Sequence, residues 1–163
     1  MTDASNDDLQ RIKGRIEKSL LRLLASESDD DAEKNWLKEH ASDSELKRLV
    51  PHITILGLHA LDVISEGEGV RAVDIAKELG VTKGAISKTT RKLLDHGLIK
   101  REKRPDNLKE IYYYVTPLGA ELAKLHRQLH QEKDQRALEL FRGYDLESLK
   151  LIAEFMEKLA RLR

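Results

Sequence analysis

Residues 72–97, AVDIAKELGVTKGAISKTTRKLLDHG, constrain this chain more than any other stretch. Val73, Ile75, Ala76 and Leu79 recur at helical spacing, and Gly80 comes next, where a helix must stop and the backbone turn left-handed. Thr82 can cap a second helix by accepting from the free amides of its first turn, with Ala85, Ile86, Leu93 and Leu94 as the inward face. Two helices joined by so short a turn make a helix-turn-helix. The second presents Lys83, Ser87, Lys88, Thr90 and Arg91 outward, cations and hydroxyls suited to phosphates and base edges in a major groove.

The next residues sharpen this. Gly97 ends the second helix, Leu98 and Ile99 open an extended run, and Ile111 to Val115 form another, rich in strand-forming residues. RPDNLKE between them carries Pro105, Asp106 and Asn107 as turn formers, so a hairpin stands beside the helix-turn-helix. Lys103, Arg104 and Lys109 make its tip basic, as a wing reaching along a phosphate backbone requires. Charge matters here because the total hides it. Lys+Arg and Asp+Glu both number 29, yet residues 81–109 hold nine cations against three acids, and residues 1–33 hold nine acids against five cations. A basic patch on an otherwise acidic chain points to double-stranded DNA as the partner.

The order of helix, GVTKGAISKTTRKLLDHGLIKRE, wing and then VTPLG opening a long helix resembles the MarR family of winged-helix transcriptional regulators. The resemblance covers roughly residues 50–163 and is strongest between Ala72 and Gly119. It implies a mainly α fold with a small β-hairpin wing and terminal dimerisation helices. It also implies a homodimer that binds a pseudo-palindromic promoter operator, as a repressor. Thr82, Lys83, Gly84, Ser87, Lys88 and Arg91 would read or position the major groove, and Arg104, Asn107 and Lys109 would serve the wing. One departure is visible: Asn107 and Lys109 stand where the family wing usually carries Asp-x-Arg, and neither the charge anchor nor the planar fork is retained.

The chain divides into three segments: residues 1–50 as terminal helices with an acidic linker, 51–116 as the winged lobe, and 117–163 as C-terminal dimerisation helices. Leu9, Ile12, Ile16, Leu20, Leu23 and Leu24 mark an amphipathic first helix. SESDDDAEKN reads as a solvated linker, and residues 35–50 as a further helix that Ser42 to Ser44 can break. Pro51 reads as the first residue of a largely apolar helix, ITILGLHALDVI. After the wing, Thr116 and Pro117 start a long helix with Leu118, Leu122, Leu125 and Leu129 in a stripe. A final helix carries Leu146, Leu149, Ala153, Met156 and Leu159. Exposed leucine stripes at both ends of the chain call for a second copy.

His126 and His130 lie four apart on the helix after the wing, the spacing at which one helix face offers two imidazoles to one metal. With His59 in the helix before the reading motif, they resemble the zinc-uptake repressor branch of the family. There a Glu from an early helix, a His from the helix before the reading motif and an HxxxH pair after the wing hold zinc. Glu39 or His40 would supply the fourth ligand here. Zn(II) suits three imidazoles and a carboxylate, though other divalent transition metals accept the same donors. The competing readings are histidines that simply hydrogen-bond carbonyls or carboxylates at a packing seam, and a crevice that takes a small aromatic effector.

The chain contains no cysteine, which excludes disulfides, thiol redox sensing and thiolate ligation. It shows no Ser-His-Asp signature and no glycine-rich phosphate loop, so an enzyme, metal-dependent or otherwise, is the weaker class. A winged helix used only for protein interaction would not need four cations on the reading helix. Tyr112, Tyr113 and Tyr114 beside the basic hairpin raise single-strand stacking, but alternation turns Tyr113 away from the other two. The polar start MTDASNDD is unlike a secretory signal and no apolar run reaches ~18 residues, so no membrane is implied and a cytoplasmic protein is expected.

Overall fold

A computed structural model describes residues 6–25 and 29–161, with side chains over 7–20 and 31–161. It is mainly helical with one antiparallel hairpin, as the family resemblance implied. In chain order the elements are α1 (Asn6–Ala25), α2 (Asp29–His40), α3 (Ser44–Leu49), a single 3₁₀ turn (Val50–His52), α4 (Ile55–Glu66) and α5 (Ala72–Glu78). They continue with α6 (Lys83–Asp95), β1 (Ile99–Arg104), β2 (Asn107–Val115), α7 (Pro117–Arg142) and α8 (Leu146–Ala160).

The helix-turn-helix forms as its residues dictate. Gly80 takes φ +63 after α5, and Thr82 Oγ1 accepts from the Ala85 amide at 3.2 Å to cap α6. Gly97 takes φ +66 and releases the chain into β1. The hairpin pairs Ile99 with Val115 through Glu102 with Tyr112, then shifts register before Arg104 meets Asn107. Thr116 locks the wing's base to α7: its Oγ1 accepts from the Gly119 amide at 3.1 Å and donates to the Gly97 carbonyl at 2.7 Å. Gly119 is required there, because a Cβ would fall 1.9 Å from the Leu98 carbonyl oxygen.

The core gathers one face from each helix of the lobe. Leu37 of α2, Leu46 of α3, Leu58, Leu61 and Ile64 of α4, Ile75 of α5, Ile86 and Leu93 of α6, and Leu122, Ala123 and Leu129 of α7 are all buried. α4 is the scaffold. Its apolar sequence is enclosed by α6 and α7, and Thr54 Oγ1 caps it by accepting from the Gly57 amide at 3.1 Å. α8 buries nothing, and with α1 it lines an open apolar groove of about 760 Å³ between Ile12, Ile16, Leu151, Ile152, Phe155 and Met156.

Three local expectations change and one holds. The acidic run is no linker beyond its first residues, since α2 already begins at Asp29; Glu33 and Leu37 face inward, so packing on α7 offsets the charge repulsion. The break at residues 41–43 is real, with Asp43 Oδ1 accepting from the Glu45 amide. Pro51 sits in the 3₁₀ turn and α4 starts four residues later at its own cap. The wing's turn is Pro105–Asp106 alone, with β2 running from Asn107, which pairs with Arg104 and whose Oδ1 accepts from the Lys109 and Glu110 amides. Leu23 and Leu24 lie outside the residues whose side chains are described.

Candidate nucleic-acid interface and metal centre

α6 presents Thr82, Lys83, Gly84, Ser87, Lys88 and Arg91 to solvent, joined by Lys92, while Ile86, Thr89, Thr90 and Leu93 anchor its other side. Thr90 is a correction. It was expected on the reading face but is buried, its Oγ1 donating to the Ile86 carbonyl at 2.9 Å. A hydroxyl that bonds back to its own helix can sit inward at no cost in unsatisfied donors. In the wing, Lys103 and Lys109 are exposed at the tip, and Asn107 Oδ1 accepts from the Lys109 and Glu110 amides at the start of β2. Arg104 does not point outward with them. Its guanidinium bonds the Glu68 carbonyl and packs over the Tyr112 ring.

His59, His126 and His130 converge, their ligating nitrogens all within 4.8 Å of one another. α4 supplies the first and one face of α7 the other two, so the i,i+4 spacing works as the sequence implied. His126 is completely buried and central: its ring centroid lies 5.1 Å from that of His59 and 4.5 Å from that of His130, and the two Nε2 atoms of His126 and His130 are 3.0 Å apart. Asp62 Oδ2 lies 2.5 Å from His126 Nδ1, and Glu33 Oε1 lies 2.7 Å from His126 Nε2. Lys133 Nζ donates to the other Glu33 oxygen at 3.2 Å.

Glu39 and His40 are not part of this cluster, which corrects the expected fourth ligand. Glu39 is exposed, and His40 stacks on Trp36 with ring centroids 3.8 Å apart while its Nδ1 donates to the Trp36 carbonyl at 2.8 Å. The carboxylate that does reach the histidines is Glu33, buried, and earlier on the same helix. The signal for it was faint but present: Glu33 precedes Leu37 by four residues, so an acid stands on the apolar face of α2.

Electrostatics follow from this enclosure. Burial pushes the His126 pKa down, but the hydrogen bond and charge of Asp62, then those of Glu33, more than offset it, and the net shift is upward. Burial would raise the Glu33 carboxyl, yet His126 and then Lys133 hold it below the usual range. His130 is lowered by burial and by the charge of His126. Without metal, a protonated His126 donates from both nitrogens to the two carboxylates. With Nδ1–H held by Asp62, Nε2 is the nitrogen left free to give an electron pair to a metal, beside His130 and Glu33. Asp62 Oδ1 is buried without a hydrogen-bond partner, 3.8 Å from Arg127 Nη1, so the site keeps one acceptor that its neighbours do not satisfy. Three imidazoles, an adjacent carboxylate and an orienting acid on the far nitrogen fit a divalent transition metal.

A model of the MarR family matches residues 53–111. YhjH, an uncharacterized HTH-type transcriptional regulator of Bacillus subtilis (strain 168), is 35% identical over 116 residues; the match covers 71% of this chain and 62% of that relative's length. A mutant of Lactococcus lactis ZitR shares the fold with TM-score 0.69 at 19% identity, over 92% of this chain and 96% of that one. Streptococcus pneumoniae FabT, solved in complex with DNA, gives TM-score 0.61 at 21% identity over 95% and 96%. The helix-turn-helix and wing that carry the sequence match are therefore set in a fold shared along nearly the whole chain, and it is residues 53–111, the winged helix-turn-helix itself, that match the MarR family.

Proposed function

We propose that this chain is a dimeric transcriptional regulator that binds double-stranded promoter DNA, acts as a repressor, and takes a divalent metal, Zn(II) by preference, as its effector. The convergence of His59, His126 and His130 around a buried, acid-flanked imidazole carries the metal reading. The exposed cations of α6 and the wing carry the DNA reading, supported by a curated relative that is an HTH-type transcriptional regulator and by a neighbour solved with DNA.

His59, His126 and His130, with Glu33 as the carboxylate, would hold the ion. When bound, it supplies a cross-link between α2, α4 and α7. The chain's own residues decide the effect of that link. Glu33 belongs to the helix nearest the terminal dimerisation segment, His59 to the scaffold behind α6, and the HxxxH pair to the long helix that starts at the wing's base. Fixing these three helices fixes the placement of α6 relative to α7 and hence to a second copy. If that arrangement is the DNA-competent one, metal and DNA favour each other by the same coupling free energy, typically ~1–3 kcal/mol. The second copy would cover the apolar groove of α1 and α8, where Leu151 is 68% exposed. Two recognition helices about 34 Å apart would then face successive major grooves.

The test is a Zn(II) titration of metal-stripped protein and then duplex binding at one fixed salt concentration, with and without metal, for the parent and for His126→Ala/His130→Ala. Stoichiometric binding that raises duplex affinity in the parent alone supports the reading. Unchanged duplex affinity with no high-affinity metal returns the histidines to packing.

A further inference from the structure

Arg104 ends β1 at the wing tip, yet its head turns back toward the body of the lobe. Nη2 donates to the Glu68 carbonyl and lies 3.4 Å from the Gly69 carbonyl. Nε donates to the Tyr114 hydroxyl at 3.3 Å, and Cζ stands 4.1 Å from the centre of the Tyr112 ring. The loop that receives it is shaped for it. Gly69 has φ +98, and a Cβ there would fall 2.5 Å from the Tyr114 hydroxyl oxygen and 2.7 Å from Arg104 Nη2. Beside it Val70 exchanges backbone hydrogen bonds with Tyr113 at 3.0 and 2.9 Å, which ties the same loop to β2. The register shift between Glu102 and Arg104 falls immediately before the inward-turned side chain, as expected of a bulge that re-aims a residue.

We propose that Arg104 is a positioning residue for the wing. It clamps the hairpin to the loop between α4 and α5, and so sets where Lys103 and Lys109 stand relative to α6, without touching DNA itself. This rests on reading α6 and the wing as the DNA surface. A two-stranded hairpin has little stiffness of its own, and a planar guanidinium can bond two carbonyls edge-on while stacking on an aromatic ring, which an ammonium cannot. The family's Asp-x-Arg is replaced here by Asn107 and Lys109, and the Arg104 clamp takes over the task of holding the tip.

The experiment uses the full chain and a duplex selected by the parent from random sequence, with affinity measured across a salt series. Arg104→Lys, which keeps the charge, and Gly69→Ala, which alters no charge, are each expected to weaken binding about tenfold and to flatten the salt slope by about two. The double variant Lys103→Gln/Lys109→Gln should do the same, and adding Arg104→Lys to it should cost nothing more. Footprinting should show the wing's protection lost and that of α6 retained, which a general loss of folding would not produce. Arg104→Lys with parental affinity and slope overturns the clamp. So does an additive loss in the triple variant, since Arg104 would then contact phosphate directly. Should Gly69→Ala not fold, Arg104→Lys decides alone. A parent that selects no duplex overturns the DNA reading and the clamp with it.

Discussion

Asp62→Asn is the most informative single change, because it preserves shape and removes one charge beside a completely buried ring. Asp62 Oδ2 sits 2.5 Å from His126 Nδ1, and of the influences raising the His126 pKa against its burial Asp62 is the strongest. The carboxylate therefore holds the hydrogen on Nδ1 and leaves Nε2 facing His130 and Glu33. Asparagine can still accept that hydrogen, but through a neutral oxygen, in a bond roughly half as strong. Its amide nitrogen would occupy the place of Oδ1, which has no hydrogen-bond partner now and whose nearest charged neighbour, Arg127 Nη1 at 3.8 Å, is also a donor. Two N–H groups would then be buried without an acceptor, costing the metal-free protein about 1–3 kcal/mol. For metal, losing the acid behind a ligating imidazole typically costs 10–100-fold, about 1.4–2.7 kcal/mol. A competition titration against a chromophoric chelator at constant pH reads this directly, with Asp31→Asn, an exposed acid of α2, as the charge-matched control. Expected is Zn(II) affinity lower by 10–100-fold in Asp62→Asn and parental in the control. Equal affinities in both would refute the claim that Asp62 prepares His126 as a ligand.

The pKa directions set the pH dependence. A raised His126 keeps its proton above the usual imidazole range and so competes with metal there, whereas a lowered His130 competes only below it. Zn(II) affinity should therefore climb from pH 6.5 to pH 8, and a flat profile over that interval would contradict the assignment of His126. Lys88→Glu/Arg91→Glu should abolish duplex binding while the elution volume in size-exclusion chromatography stays parental, since both side chains are exposed on α6. Leu151→Asp/Phe155→Asp, at positions 68% and 44% exposed, should convert a dimer to a monomer in sedimentation without lowering the helical signal. Gly119→Ala should lower stability by about 1–3 kcal/mol or more, read as a lower melting temperature, because its Cβ would meet the Leu98 carbonyl oxygen at 1.9 Å.

Much of the fold was legible because its signals are local. Gly80 and Gly97 stop helices where their positive φ is needed, Thr82 and Thr116 cap the helices they precede, and the apolar positions of α4, α6 and α7 recur with the helical period. Spacing also disclosed His126 and His130, since four residues along a helix fix a common face whatever surrounds it.

What stayed hidden depends on which face meets which neighbour. Glu33 lies in an acidic run that reads as solvated, and only the packing of α2 on α7 removes it from water and brings it to His126. Glu39 and His40 lie on the same helix, but Glu39 turns to solvent and His40, two turns beyond Glu33, stacks on Trp36 instead. Thr90 looks like a reading-face hydroxyl until the packed lobe buries it and its Oγ1 donates to the Ile86 carbonyl. Arg104 looks like a phosphate contact until a loop some thirty-five residues earlier in the chain offers it two carbonyls. The sequence by itself determined the elements, their ends and the face each helix offers, because these depend on backbone freedom and periodicity within a few residues. Only the tertiary structure decided which polar groups are partnered across elements, because the enclosure that makes such a partner necessary exists only once the helices have packed.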